Sequence, residues 1–217
     1  MEKIAVIGGG AAGMMAAISA AETGHEVHLF EKNEKLGKKI FITGKGRCNL
    51  TNASDMDEIR RNIVTNSKFM YSALYTLSND DVIQMFQDVG VETKVERGNR
   101  VFPVSDKSSD VIWGLTKMLK QQQVSIHLNT GVRDILWEEK TEKKPEIKGI
   151  ITEDGEKLFF SKVIIATGGY SYQSTGSTGD GYRFAKETGH RVTDILPALV
   201  PLVVKEECVK EMQGLSL

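Results

Sequence analysis

Gly8, Gly10 and Gly13 follow an apolar run near the start of the chain, in the spacing Gly-x-Gly-x-x-Gly. The first glycine of such a set allows a tight turn, the second lets backbone approach a phosphate, and the third lets a helix pack closely against a strand. The first turn of that helix, which includes Ala11 and Ala12, presents free N–H groups and the positive end of the helix dipole. The spacing therefore predicts a site for the pyrophosphate of a dinucleotide.

A second apolar run, residues 27–30, ends at Glu31, which follows Gly13 by 18 residues. A carboxylate at the tip of the second strand of a βαβ unit can accept hydrogen bonds from both hydroxyls of an adenosine ribose. Glu31 would also repel a 2′-phosphate, and the neighbouring Lys32 reduces that repulsion only slightly. We therefore expect a dinucleotide whose adenosine ribose carries no phosphate.

These residues need a strand, a helix and a second strand to position them. Residues 4–7 have the pattern of an apolar strand, residues 11–21 form an alanine-rich helical run, and residues 23–25 form a turn. This context distinguishes a dinucleotide site from a glycine-rich loop without a ligand. We therefore expect the chain to begin with a complete βαβ unit.

A run of valine and isoleucine, residues 163–165, leads into Ala166, Thr167, Gly168 and Gly169. Such a run is typical of a strand buried on both faces of a parallel sheet. We therefore expect it to join the sheet of the first motif, with its small residues beside the same ligand. A nicotinamide dehydrogenase continues with regular alternation of strands and helices, whereas this strand follows a long insertion. FAD therefore fits the pattern better than NAD.

The insertion between the two motifs contains a loop, helices and short strands. The loop is polar, rich in glycine and spans residues 32–52, and loops of this length are usually functional. Periodicity and turn signals predict helices at 57–77, 80–89 and 111–122, two short strands within 91–102 that turn at 98–99, and a meander of three or four strands between 125 and 160.

The bulk composition limits the classes of partner. The 217 residues are 40% hydrophobic, enough for one large domain or one domain and a smaller piece. Charge is balanced, with 28 basic and 29 acidic side chains, so we expect neither nucleic acid nor a membrane as partner. No stretch approaches the roughly 18 apolar residues of a spanning helix, and glycines interrupt the only run that resembles a signal peptide. We therefore expect a cytoplasmic protein.

Cysteine and histidine spacing argues against two further kinds of site. The two cysteines, Cys48 and Cys208, form no C-x-x-C pair, which excludes a redox dithiol of the disulfide-reductase kind. The four histidines have no spacing typical of metal ligands. We therefore expect no metal site.

Three further motifs occur in a fixed order along the chain: Gly-Lys-Gly-Arg-Cys-Asn-Leu-Thr-Asn at 44–52, Arg-Val-Phe-Pro at 100–103, and Gly-Ser-Thr-Gly-Asp-Gly-Tyr at 176–182. Together with the glycine turn, Glu31 and residues 166–169, they make the chain resemble bacterial flavoproteins grouped with aminoacetone oxidase and the bile-acid-inducible flavoprotein. These proteins are a branch of the glutathione-reductase-like FAD proteins. The loop at 44–52 is the most specific part of the resemblance.

The resemblance covers residues 1 to about 202 and implies the fold. It implies an α/β protein, a glutathione-reductase-like FAD-binding Rossmann domain with a parallel sheet and an inserted β-meander. We expect the FAD-binding domain at 1–192, with a helical and β insertion at about 53–128. Family members are about twice as long, so we expect 193–217 to be the incomplete start of an inserted substrate domain. We expect no turnover by this piece alone.

The resemblance also implies non-covalent FAD and a set of contacts with it. The glycine turn would hold the pyrophosphate, Glu31 the adenosine ribose, the backbone of Val132 the adenine, and the loop at 44–49 the flavin ring. Residues predicted to bind the cofactor are Gly8, Gly10, Ala11, Ala12, Gly13, Glu31, Lys32, Gly44, Arg47, Cys48, Asn49, Val132, Ala166, Thr167, Gly168, Gly169 and Asp180.

Several of these residues have simpler interpretations as well. Arg47 could stabilise negative charge on reduced flavin or bind a substrate carboxylate, or it could be an exposed loop arginine. Cys48 could be reactive, but a free cysteine commonly behaves as a small buried apolar residue. Asn49 could bond to flavin or close a turn. Asp180 could face the cofactor or cap the helix that follows it.

These features predict an FAD-dependent oxidoreductase that transfers two electrons as hydride, either as an amine oxidase or as a C=C reductase. Its partners would be a small-molecule substrate and NAD(P)H or O2. The alternatives are an NAD(P)-dependent dehydrogenase and a non-catalytic flavin-binding module. The sequence identifies no catalytic residue, substrate or oligomeric state.

Overall fold

The computed structural model describes residues 1–140, 143–197, 205–206 and 208–212. The strands are β1 (Lys3–Ile7), β2 (Glu26–Phe30), β3 (Thr51–Asn52), β4 (Thr93–Glu96), β5 (Arg100–Pro103), β6 (Ser125–His127), β7 (Val132–Lys140), β8 (Lys143–Thr152), β9 (Lys157–Phe159) and β10 (Lys162–Ile165). The helices are α1 (Ala11–Glu22), α2 (Lys38–Ile42), α3 (Met56–Arg61), α4 (Tyr71–Thr76), α5 (Asn79–Asp88), α6 (Ser108–Gln121), α7 (Asp180–Glu187) and α8 (Cys208–Glu211), and short 3₁₀ helices span Thr43–Gly46 and Gln173–Thr175.

A parallel sheet in the order β10-β1-β2-β6 forms the centre of the fold. Ile7, the last residue of β1, lies level with Ile165 of β10 and Phe30 of β2. The carboxyl ends of these three strands therefore meet at one edge, and the residues that follow them begin side by side. The prediction that β10 returns to the sheet of β1 is confirmed.

The two faces of this sheet are covered by different elements. On one face, Val6 and Leu29 pack with Met14 of α1 and Leu119 of α6. On the other face, Ala5, Ile7 and Phe30 pack with residues of the meander and α7, which are Ile135, Ile150, Phe160 and Phe184. Burial of each large apolar side chain contributes roughly 1.5–3 kcal/mol to the stability of the fold. The strands alternate their side chains between the two clusters, which fixes their register.

The meander contains three strands, in the order β7-β8-β9, all antiparallel. β6 belongs to the parallel sheet, where His28 pairs with Ser125 and Phe30 with His127. The interpretation of a fourth meander strand near 125–128 is therefore wrong. The strand is short and at a sheet edge, and α6 carries the chain back to β2 as a crossover between parallel strands.

The remaining insertion is a small helical and β layer. The predicted helical segment at 57–77 is two short helices, α3 and α4, and the side chain of Asp55 caps α3 by accepting the Glu58 N–H at 2.8 Å. Ser78 and Asp81 form a capping box at the start of α5. A separate antiparallel sheet has the order β3-β5-β4, and β4 and β5 join at Gly98 and Asn99 as predicted.

The division of the chain into domains remains a prediction. Most of the segment predicted to start an inserted domain, including residues 198–204, 207 and 213–217, lies outside the described residues.

Candidate functional site

At two positions of the glycine turn between β1 and α1, neighbouring backbone leaves no room for a side chain. Gly8 has a φ of +109°, and a Cβ on it would stand 2.5 Å from the Ala166 carbonyl oxygen. A Cβ on Gly13 would stand 1.7 Å from the Gly8 carbonyl oxygen. By contrast, a Cβ on Gly10 would meet no atom within 4 Å, because Gly10 faces the open cavity described below. Gly8 and Gly13 therefore close the turn, and Gly10 leaves space for a ligand.

The first turn of α1 has no side-chain cap. Gly10 is the capping residue, and no acidic side chain lies in the first turn. Ala11 and Ala12 also line the cavity. The free N–H groups and the positive end of this 12-residue helix therefore face a space where an anion can bind.

Hydrogen bonds fix the orientation of the Glu31 carboxylate. Oε2 accepts the Gly9 N–H at 2.7 Å, and Oε1 accepts the Asn33 backbone N–H at 2.8 Å and its side-chain Nδ2 at 2.6 Å. Glu31 is 8% exposed and lines the cavity. A carboxylate has about four acceptor positions, so this one keeps capacity for a ligand hydroxyl.

The segment after β6 runs beside Glu31. The Glu31 N–H donates to the His127 carbonyl oxygen at 2.8 Å, and the Thr130 N–H donates to the Glu31 carbonyl oxygen at 2.9 Å. The chain then enters β7 at Val132, which is partly buried and lines the same cavity. The contact of Val132 with an adenine stays a prediction.

Lys32 and Asp180 form an ion pair at the side of the cavity. Lys32 Nζ lies 2.9 Å from Asp180 Oδ2 and donates to Thr178 Oγ1 at 2.7 Å. Burial raises the pKa of Asp180, but hydrogen bonds from Lys32 and Thr178 outweigh burial and hold that pKa below its usual range. Asp180 is therefore a carboxylate at neutral pH. α7 starts after Gly179 without a side-chain cap, so the carboxylate belongs to this ion pair.

The small residues that follow β10 pack against the glycine turn from the other side. The Ala166 N–H donates to the Ile7 carbonyl oxygen at 2.8 Å, which extends the pairing of β10 with β1. Thr167 lines the cavity, and its Oγ1 is buried without a hydrogen-bond partner among the described residues. A buried hydroxyl without a hydrogen-bond partner destabilises the folded state by roughly 1–3 kcal/mol. Thr167 is therefore suited to bond with a polar group of a bound cofactor.

The loop at 44–49 has an unusual backbone. Gly44, Lys45, Gly46 and Cys48 all have φ between +57° and +85°. Cys48 is 6% exposed, and burial raises the pKa of its thiol to about 11. The thiol is therefore protonated at neutral pH, which favours the packing interpretation over the reactive one. Asn49 donates through Nδ2 to the Thr51 carbonyl oxygen at 2.8 Å and so closes a turn.

Arg47 points into a surface ion network. Its guanidinium bonds to Glu96 and lies 2.7 Å from Asp106 Oδ1, and it stacks over the Phe102 ring at 4.2 Å. Lys94 joins the network at 2.6 Å from Asp106 Oδ2. Hydrogen bonds from Arg47 lower the pKa of Glu96, and those from Lys94 and Arg47 lower the pKa of Asp106. Arg47 thus anchors the loop to the small sheet.

Most of the residues described above surround one cavity of about 730 Å³. Small-molecule sites commonly have volumes of roughly 300–1,000 Å³. Predicted residues that line it are Gly8, Gly10, Ala11, Ala12, Glu31, Lys32, Cys48, Asn49, Val132, Ala166, Thr167, Gly168 and Asp180. Gly13, Gly44, Arg47 and Gly169 are not in its lining, and individual contacts with the cofactor remain predictions.

Sequence reasoning missed several polar residues of the lining. Lys38, Lys39, Thr43 and Ser177 all contribute to it. The first three lie within the long loop region after Glu31, and the length of that region was the available signal. Ser177 belongs to the motif at 176–182, in which only Asp180 was singled out.

The fold and the cavity define a dinucleotide-binding α/β protein of the Rossmann class. Residues 2–205 match the family described as the HI0933-like protein Rossmann domain, and the chain belongs to that family.

Two curated relatives match nearly the whole chain. It is 37% identical over 218 residues to the 3-dehydro-bile acid delta(4,6)-reductase of Clostridium scindens, covering 99% of the chain and 50% of the relative. It is 28% identical to the ribosomal RNA dihydrouridine synthase of Escherichia coli, covering 97% of the chain and 50% of that protein. The chain therefore spans about half the length of these relatives.

Solved structures agree on the fold. The 3-ketosteroid delta1-dehydrogenase of Sterolibacterium denitrificans gives a TM-score of 0.66 at 14% identity, covering 88% of this chain and 56% of that one. The open form of a flavocytochrome c3 fumarate reductase gives a TM-score of 0.58 at 20% identity, covering 87% and 40%.

The prediction of an α/β Rossmann domain that binds FAD is confirmed, and the broad resemblance to FAD proteins is confirmed with it. In the described part of the chain, no helix combines the length and the apolar character needed to cross a membrane.

Proposed function

We propose that this chain is the FAD-binding part of an oxidoreductase that reduces a carbon–carbon double bond in a small-molecule substrate. The observation that carries the proposal is the level register of β1, β2 and β10, which brings the glycine turn, Glu31 and Thr167 to one cavity. A single extended dinucleotide can contact all three from that cavity.

The residues present fit FAD. The glycine turn and α1 bind the pyrophosphate through backbone N–H groups, and Glu31 accepts a hydrogen bond from a ribose hydroxyl. Thr167 Oγ1, which has no hydrogen-bond partner in the part of the chain that the structure describes, gains one from the cofactor. When bound, FAD supplies two-electron exchange of hydride with a substrate. Apolar side chains in the same cavity, including Met85 and Leu115, exclude water.

Names of relatives favour reduction of a double bond over oxidation of an amine. The Clostridium scindens relative is named as a delta(4,6)-reductase, and the Escherichia coli relative is named as a dihydrouridine synthase. In the proposed reaction, NAD(P)H gives up a hydride, and the double bond gains a hydride and a proton. Of the two flavoproteins named in the resemblance, the bile-acid-inducible flavoprotein agrees with this chemistry better than aminoacetone oxidase does, because an oxidase would reduce O2.

The dihydrouridine synthase suggests RNA as a second class of substrate. The chain carries 28 basic and 29 acidic side chains, whereas proteins that bind nucleic acid commonly carry a basic surface. We therefore keep the prediction of a small-molecule substrate.

An absorption spectrum of the full-length protein tests the proposal. We expect a flavin spectrum that persists through gel filtration, bleaching by NADH or NADPH without oxygen, and recovery when an unsaturated 3-oxo steroid is added. The flavin absorbance of the same reduced protein should recover no faster with uridine-containing RNA than with buffer. This chain alone should show no turnover.

Each alternative predicts another outcome of the same titration. A colourless protein that binds NADH would indicate a nicotinamide-dependent dehydrogenase. Bleaching by amines and recovery with O2 would indicate an amine oxidase. Flavin that stays bound and is reduced by no donor would indicate a non-catalytic flavin-binding module.

A further inference from the structure

Three lysines line the cavity, and they differ in their partners. Lys32 pairs with Asp180 at 2.9 Å, and Lys38 pairs with Glu34 at 3.2 Å. Lys39 donates to two hydroxyls, Ser177 Oγ at 2.6 Å and Ser171 Oγ at 3.4 Å. Within the described ranges it has no carboxylate within 4 Å. Lys39 is therefore the cavity lysine whose charge the described chain does not balance.

Backbone contacts place this lysine next to the glycine turn. The Gly37 N–H donates to the Gly9 carbonyl oxygen at 2.9 Å, so α2 begins directly beside the turn. On the other side, a Cβ on Gly168 would lie 2.6 Å from Ser177 Oγ and 3.9 Å from Lys39 Nζ. The ammonium group of Lys39 therefore lies over the end of β10, at the edge where the phosphate-binding turn opens.

The glycine turn itself supplies no charged side chain. Residues 8–14 are glycine, alanine and methionine, so the turn offers backbone N–H groups and the helix dipole alone. A pyrophosphate carries two negative charges, and moving them from water into a cavity is costly without a cation. Ser177, 7% exposed, accepts from Lys39 and keeps its own hydroxyl proton to donate.

We propose that Lys39 binds a phosphate oxygen of FAD, with Ser177 holding its ammonium group and donating to the same phosphate. The proposal rests on the proposed function, because it requires FAD as the ligand. In this proposal, side chains contribute to phosphate binding together with the backbone N–H groups of the glycine turn. It also explains why Gly168 lacks a side chain, since a Cβ would displace Ser177.

The test compares ligands with and without phosphate. Dissociation constants of FAD are measured by flavin fluorescence on full-length apoprotein, and those of ADP and adenosine by displacement of FAD. We expect Lys39→Met to weaken FAD and ADP by roughly 10- to 100-fold, the range for a hydrogen bond to a charged group, and adenosine by less than about twofold. Lys39→Gln, which can still bond to Ser177, should show the same selectivity if Lys39→Met does not fold.

Lys35→Met is the matched control, because Lys35 belongs to the same segment, pairs with Glu34 at 4.0 Å and is outside the lining of the cavity. It should change all three constants by less than about threefold. Equal weakening of ADP and adenosine by the Lys39 variants, or no weakening, would overturn the role of Lys39 while FAD binding by the wild type still stands. Wild-type protein that binds no FAD would instead overturn the proposed function.

Discussion

The carboxyl edge of the parallel sheet and the loop at 44–49 border the same cavity but are held in place by different interactions. At the sheet edge, backbone contacts dominate, such as the Gly8 N–H to the Phe30 carbonyl oxygen at 2.8 Å. In the loop, the side chain of Arg47 reaches Glu96 of the small sheet and Asp106, which follows that sheet in the chain. The first region tolerates almost no added volume at Gly8 and Gly13, whereas the second depends on partly exposed charges.

The difference indicates which part of the site is rigid. Backbone packing against a buried sheet fixes atoms closely, and interiors transmit even small volume changes. Exposed ion pairs are weak and screened by salt. We therefore expect the sheet edge to set whether FAD binds, and the loop to adjust how it is bound.

The largest effect should come from Gly13→Ala. The new Cβ would stand 1.7 Å from the Gly8 carbonyl oxygen, so helix α1 or the turn must move. Overpacking costs roughly 1–3 kcal/mol, and we expect about 3 kcal/mol here because the clash is with backbone. Urea unfolding of the full-length protein measures the change, and bound flavin should be lost on gel filtration.

Gly10→Ala is the matched control for that variant. Its Cβ meets no atom within 4 Å, so the free energy of unfolding should change by less than about 0.5 kcal/mol. FAD binding should nevertheless weaken, since the methyl group enters the space left for phosphate. If both variants were equally stable, the tight packing of the turn would not be a constraint on the fold.

A smaller effect is expected from Glu31→Gln. The amide loses the charge that receives the Gly9 and Asn33 N–H groups, and it presents a donor to one of them. We expect the dissociation constant of FAD to rise by roughly 10-fold or more, as for other hydrogen bonds to a charged group. Fluorescence titration measures it, and Glu34→Gln, on an exposed residue of the same segment, should change it by less than about twofold.

The sequence predicted the sheet edge well because its signals are local. Glycine spacing, the run of valine and isoleucine before Ala166, and the carboxylate after β2 each follow from a few neighbouring residues. The strand β6 was assigned to the wrong sheet because two of its three residues, Ser125 and His127, are polar, and the pattern is that of any short strand. Its place follows from the crossover through α6, which periodicity does not encode.

The loop was less predictable because its partners are distant in sequence. Arg47 is 49 residues from Glu96 and 59 residues from Asp106, and no periodic pattern connects them. The motif correctly indicated a special backbone, since four of its residues have positive φ. It did not indicate that the guanidinium would be bound by carboxylates. For the same reason, Lys39 became distinct from Lys38 only once their partners were known.

A pH series distinguishes the loop from the sheet edge. Arg47 and Lys94 hold the pKa values of Glu96 and Asp106 below their usual range, so the network stabilises the fold fully above the usual carboxyl pKa of about 4. That stability is lost as pH falls through the lowered values. The difference in Tm between wild type and Arg47→Met should therefore be largest near neutral pH and shrink in acid. Arg61→Met should show no such trend, because the Arg61 guanidinium donates to the backbone carbonyl oxygen of Asp57. A constant difference would mean that Arg47 acts by packing on Phe102.

The smallest effect concerns Cys48, which connects the loop to the cavity. Because burial raises the pKa of its thiol to about 11, only roughly one thiol in a thousand is ionised at pH 8, and the thiolate is the reactive form. Iodoacetamide at pH 8 should therefore modify the exposed Cys208 and leave Cys48 intact until urea unfolds the protein, as followed by mass spectrometry. Cys48→Ala should change FAD affinity by less than about threefold. Rapid alkylation of Cys48 in the folded protein would instead show that the loop opens to solvent. The loop would then differ from the rigid sheet edge more than the burial of Cys48 indicates.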